Sequence, residues 1–141
     1  MPTNPQPAGF LRRSAALLYD AAVLLALLLL TTAIALLLNH GEPVPRVLLR
    51  TCYLVVAYAF YVGFWTHGGQ TLGMRAWRLQ LLASDGKRPG YGAATLRFAA
   101  AILSWAACGA GFLWILVSEH KLAWHDQLSA TRIVSLAPRT S

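Results

Sequence analysis

Apolar residues in this chain gather in long blocks rather than in the amphipathic stripes of a soluble helix. Residues 14–38 are apolar apart from Asp20 and a few hydroxyls. A helix of that length reaches about 37 Å, ample for a hydrocarbon core of roughly 30 Å. Asn39, His40, Gly41, Glu42, Pro43 and Pro45 follow as a polar turn that stops the helix and allows an antiparallel return. A second span is predicted over 47–65, with Arg50 near its start and Tyr53, Tyr58, Tyr61 and Trp65 along it. Several of these aromatics suit headgroup depth.

Residues 66–94 form the longest polar region. Gly68, Gly69 and Gly73 loosen its start, and the Gly68–Gly73 stretch reads as a flexible turn; it lacks the lysine of a phosphate-binding loop. Residues 74–82 are amphipathic, with Trp77 and two arginines, and predict a short interfacial helix. The end of that stretch, 78–82, alternates like a strand, and Ser84, Asp85, Gly86 and Lys87 carry a turn signal, so a small β-hairpin is expected. A third apolar block, 94–117, opens near Arg97 and is interrupted by Gly109, Ala110 and Gly111. It either crosses as one tilted span or re-enters as a broken helical hairpin whose bend protein buries.

The predicted fold class is therefore an all-α membrane protein. It has two transmembrane helices, a third apolar segment, a short interfacial helix and a small hairpin. A polar tail (1–11) precedes the membrane domain (12–136), and a short tail (137–141) follows. Residues 1–10 are polar and Pro-rich, with no small-residue cleavage site after a short apolar run, so the first block is expected to be retained.

Composition agrees. Of 141 residues 57% are hydrophobic and 12% charged, about half the charge that keeps a soluble surface wet. The net charge of +7 fits nucleic acid or anionic lipid. No basic stretch interleaves with aromatics and no zinc or helix-turn-helix pattern appears, so nucleic acid is not expected. The basic residues flank the apolar blocks, where membrane topology uses them. With three full spans, Arg12, Arg13, Arg75, Arg78, Lys87, Arg88 and Arg97 share one side, and Arg46, Arg50, Lys121, Arg132 and Arg139 the other: seven against five. Re-entry of the third block makes it ten against two, which the positive-inside rule prefers. In that arrangement residues 131–136 could pair with the strand at 78–82.

Asp20 is the sharpest chemical feature. It lies about 9–12 Å beyond Arg12 and Arg13 along the helix, inside the hydrocarbon. An ionised carboxylate there costs at least ~3 kcal/mol, so it must be neutral, paired or facing enclosed water. Arg97 is the first candidate partner. A structural Arg–Asp bond and a proton or monovalent-cation site at Asp20 are both open readings. In the tail, His125 beside Asp126 could relay protons, while a plainer reading has Asp126 capping a short interfacial helix. His120 and His125 do not share a helix face, so a paired-histidine metal site is not indicated. Cys52 and Cys108 read as small buried hydrophobes. No nucleophile–base arrangement is visible, and neither enzyme activity nor a cofactor is expected.

Three motifs resemble one family. Gly9-Phe10-Leu11-Arg12-Arg13 with Leu17-Leu18-Tyr19-Asp20 is similar to the opening of the RDD family of bacterial inner-membrane proteins. Gly69 to Arg75 with the Asp85-Gly86 turn, and Leu122 to Thr131, resemble its middle and end. Met74, where a basic residue is frequent, and Trp124, in place of a smaller or apolar residue, depart from its pattern. The family's naming arginine and aspartates fall on Arg13 (with Arg12 as contender), Asp20 and Asp126. The resemblance implies a multi-pass inner-membrane protein, sodium/proton antiport as in a few members, and a homodimer; the charge count puts the N-terminus on the cytoplasmic side. On that basis Asp20 would bind ion and proton, Arg13 would tune it, and Asp126 with His125 would gate or relay.

Overall fold

The computed structural model describes residues 6–107, 109–120 and 122–136. Residues 1–5 of the predicted N-terminal tail, Cys108, Lys121 and the whole predicted C-terminal tail, with Arg139, lie outside the described residues.

Two long helices lead. α1 (Phe10–Leu38) and α2 (Arg46–His67) are both long and apolar enough to cross a membrane. α1 starts earlier than its apolar block, because the Gly9 carbonyl already accepts the Arg13 amide at 3.2 Å. Its end is a Schellman closure: Gly41 N–H donates to Leu36 O and His40 N–H to Leu37 O, with His40 left-handed at φ 54°. The Asn39 side chain then ties down the turn by donating to the Glu42 and Pro43 carbonyls. Thr32 and Tyr53 share a 2.5 Å hydrogen bond between the helices. The hydroxyls of Thr31, Thr32 and Thr51 return to carbonyls one turn back, which satisfies them within their own helices. Leu29 and Leu37 of α1 and Val55 of α2 point outward, more than half exposed, as lipid-facing side chains do.

The buried core sits at the other end of this pair. Ala16 of α1 and Val62 and Trp65 of α2 meet Met74, Leu79 and Leu81 there. Thr71 caps α3 (Leu72–Ala76), its side chain accepting from Met74 N. Arg78 is left-handed at φ 54°, and the chain then leaves as strand β2 (Leu79–Ala83). The amphipathic stretch is thus divided into α3 and a strand, the strand falling on the 78–82 end whose residues alternate. Met74 is buried rather than at an interface, because α3 is drawn onto α1.

The small hairpin is also corrected. The turn at 84–87 forms, with Ala83 N–H donating to Lys87 O, but the chain runs through Pro89 into α4 (Tyr91–Ala106). Proline brings no amide hydrogen to a returning ladder. β2 pairs instead with β3 (Thr131–Ser135), antiparallel, with Leu81 opposite Ile133. Residues 78–82 and 131–136 are the two segments expected to be able to pair if the third block re-enters. β3 is the centre of a three-stranded sheet whose other edge is β1 (Gln6–Pro7), part of the predicted polar tail. The protein is therefore mostly helical with a small sheet, not all-α.

The third apolar block does not continue as one helix. α4 ends at Ala106, Gly109 turns at φ 75° with its amide on Ser104 O, and α5 (Ala110–Leu113) and a 3-10 turn (Trp114–Leu116) follow. A Cβ at Gly111 would stand 2.5 Å from Ser104 Oγ and 2.8 Å from Trp124 Cε3, so only glycine admits this close return. α6 (Trp124–Leu128) then packs on α4 and delivers the chain to β3.

Candidate functional site

The two aspartates stand in different surroundings. Asp126 lies in the first turn of α6, where its Oδ2 accepts the Ala123 amide at 3.0 Å and closes the helix start. The same carboxylate receives two buried guanidiniums. Arg13, from the first turn of α1, reaches Oδ2 at 2.5 Å, and Arg97, from α4, bonds Oδ1. Arg97 also donates to Thr131 Oγ1 at 2.9 Å and lies over the Trp65 ring. Arg13 adds the Ile133 carbonyl at 3.3 Å. One carboxylate thus joins α1, α4, α6 and β3. All three charged residues are at most 3% exposed.

Electrostatics follow from that crowding. Burial alone would push the Asp126 carboxyl up, but Arg97 and Arg13 outweigh it and hold it well below the usual carboxylate range. His125 Nε2 is 3.8 Å from Asp126 Oδ1. Burial, reinforced by Arg97, lowers its imidazole to about 3 despite the neighbouring carboxylate. The imidazole is therefore neutral at pH 7.

Asp20 is bonded differently. Thr71 Oγ1 donates to Oδ2 at 2.5 Å and the Gly73 amide to Oδ1 at 2.8 Å. Gly73 permits this: a Cβ there would collide with the Ala16 carbonyl on α1 and stand 3.0 Å from Asp20 Cγ. Among the described residues Asp20 has no ion pair, and it is 3% exposed. The predicted Asp20–Arg97 pair is corrected: Arg97 is committed to Asp126, and the start of α3 supplies two neutral donors in its place.

The remaining predicted residues separate clearly. Arg12 is exposed and donates to Ser135 Oγ at 2.7 Å, so of the two adjacent arginines Arg13 enters the buried cluster. Among the described residues no group of three or more His, Cys, Asp or Glu converges on a metal position. The sequence does not mark Thr71, Gly73 and Thr131 as site residues, although a threonine just before a short helix is an N-cap signal.

A cleft of about 540 Å³ connects the two centres. Arg13, Asp20, Thr71, Arg97 and His125 line its polar part, and leucines of α1 with Phe98, Ile102 and Trp105 of α4 line the rest.

No curated protein and no solved structure matches the chain. The family model described as RDD family matches residues 7–130, a stretch containing Arg13, Asp20, Arg97 and Asp126. With that match over most of its length, two helices able to cross a membrane and the arginine and both aspartates in place, the chain belongs to the RDD family of membrane proteins.

Proposed function

We propose that the protein exchanges protons for a monovalent cation such as sodium across the bacterial cytoplasmic membrane, with Asp20 as the group both ions compete for. One observation carries this reading. Asp20 is a buried carboxylate on the wall of a cleft, held by two neutral donors, without a cationic partner among the described residues. Its two bonds offset only part of the cost of an anion at hydrocarbon depth, at least ~3 kcal/mol on insertion scales. A proton or a small cation supplies the rest, and one carboxylate serving both couples their movements. Thr71 Oγ1 is the nearest side-chain oxygen that could join it as a ligand.

In this reading α1 and α2 span and the N-terminus is cytoplasmic. The broken segment from α4 to the 3-10 turn re-enters the bilayer and returns to the same side. Two features support it: the basic residues then divide ten against two, and β1, β2 and β3 must share one side to pair. Two spans enclose no path alone, so a homodimer is part of the proposal. No catalytic step is assigned.

A second reading has its own observation. The Arg13–Asp126–Arg97 cluster joins four elements around one carboxylate, as in a structural clamp. If Asp20 were equally structural, the protein would be a non-transporting adaptor whose basic loops grip a partner. Proteoliposome flux separates the two. A cation-dependent proton movement, abolished in Asp20→Asn of unchanged oligomeric state, is expected. Absence of flux from folded wild type with Na⁺, K⁺ and Li⁺ would sink the exchanger and leave the adaptor.

A further inference from the structure

Side-chain oxygens are scarce along the cleft. Among the residues that line it they belong to Asp20, Tyr61, Thr71 and Ser104 alone. The Ser104 hydroxyl is enclosed against Gly111 and does not face the cleft. Thr71 Oγ1 already donates to Asp20 and accepts from Met74 N, which leaves it one lone pair. Tyr61, in α2, is less committed. Two other tyrosines of the same helix, Tyr53 and Tyr58, share hydrogen bonds with Thr32 and Thr95 at 2.5 and 2.8 Å. The Tyr61 hydroxyl is neither enclosed nor hydrogen-bonded among the described residues. Its ring is packed against Phe60, Trp65 and Phe98, at centroid distances of 5.1, 5.3 and 6.4 Å. The hydroxyl also stands near enough to Asp20 for the carboxylate charge to act on it. The two groups are therefore too far apart for a hydrogen bond, yet electrostatic neighbours.

We propose that the Tyr61 hydroxyl is a ligand of the cation that competes with the proton at Asp20, and that it sets the preference among alkali cations. This rests on the exchange reading of Asp20 and adds a specificity-determining residue to it. Hard cations are held by several oxygens at once. After Thr71 and Gly73 are served, Asp20 keeps two of the roughly four lone-pair sites of a carboxylate. Thr71 Oγ1 adds one more. A cation reaching these from the cleft meets Tyr61 Oη as the one further side-chain oxygen that the described lining leaves open. A phenol suits both states of such a site. Without a cation its O–H can point toward the carboxylate, and with a cation between them it offers a lone pair instead. The packed ring gives Oη a fixed place, so ions of different radius are held unequally.

The experiment is melting of the full chain in detergent against rising NaCl, KCl or LiCl, with ionic strength held by N-methylglucamine chloride. A cation that binds only the folded protein raises the melting temperature once its concentration passes Kd. Tyr61→Phe keeps the ring contacts and removes an unbonded hydroxyl, so the fold is retained. Its sodium onset should move about tenfold higher, the scale of one lost contact to a charge, and the spread among the three cations should narrow. Tyr58→Phe, whose hydroxyl is bonded to Thr95 and whose side chain does not line the cleft, should keep the wild-type onset and order. Asp20→Asn should abolish the rise. If Asp20→Asn does so while Tyr61→Phe keeps the onset and the cation order of wild type, the Tyr61 ligand is overturned and the exchanger stands. An equal shift in Tyr58→Phe also overturns it, because loosening of α2 then accounts for the loss. No rise in wild type with any of the cations, or a rise that survives in Asp20→Asn, overturns the ion site at Asp20 itself and the ligand with it.

Discussion

The surroundings of Asp126 and Asp20 show how one residue type takes two roles in one small protein. Asp126 accepts from two guanidiniums and a backbone amide, which leaves it little capacity for another ion. Asp20 accepts from a hydroxyl and an amide, both neutral, and borders a cleft. Both are buried, at most 3% exposed; the donors differ in charge. A carboxylate compensated by fixed cations is a joint, whereas one held by dipoles alone keeps its affinity for a mobile cation.

That contrast breaks most visibly at the joint. Asp126→Asn removes the only carboxylate that holds Arg13 and Arg97 among the described residues, leaving two buried guanidiniums facing an amide. Losing one member of a buried ion cluster costs roughly 3–5 kcal/mol. A thermal melt in detergent should show a large loss of stability or no folded protein. An Asp126→Asn protein that melts with wild type would end the joint reading.

Acid should act on the same joint. The folded pKa of His125 lies at about 3, below its unfolded value near 6.5, so between those limits the unfolded chain binds the extra proton. Stability must therefore fall as pH drops from 6.5, by at most roughly 1.4 kcal/mol per unit. Asp126, held below its ordinary value, adds stability that is present above about 4 and lost as pH falls through its folded value. His125→Phe removes only the first contribution. Its melting temperature should vary less than wild type between pH 7 and 4.5, whatever the baseline shift, and equal slopes would place the acid sensitivity elsewhere.

The sequence discloses these two centres unevenly. Both long helices and strand β2 follow from local patterns, since block length and alternation are properties of neighbours, whereas the partner of β2 is reached only through the charge count along the chain. β1 does not, because two residues ending in Pro7 carry no period. The capping role of Asp126 is readable from its position just inside a short helix. Its arginines are not, as they lie 113 and 29 residues away and no periodicity reports such contacts. At Asp20 the aspartate itself is conspicuous, but its partners are hidden. A glycine in a polar loop reads as freedom, whereas Gly73 is fixed because another backbone lies against it.

Gly73 therefore gives the finer test of the Asp20 side. In Gly73→Ala the added methyl meets the Ala16 carbonyl, which is backbone within α1 and cannot rotate away. α3 must retreat, and with it the Gly73 amide and the Thr71 hydroxyl that hold Asp20. Overpacking of this kind costs about 1–3 kcal/mol. Asp20→Asn is the comparison: its amide oxygen can still accept from Gly73, and Thr71 can reverse its hydroxyl, so the cost should stay near or below ~1 kcal/mol. The two variants should thus order themselves in melts, Gly73→Ala below Asp20→Asn and both above Asp126→Asn. The opposite order between the first two would mean that the charge of Asp20, rather than the close backbone approach, secures α3 against α1. Asp20 would then belong with Asp126 as a second joint.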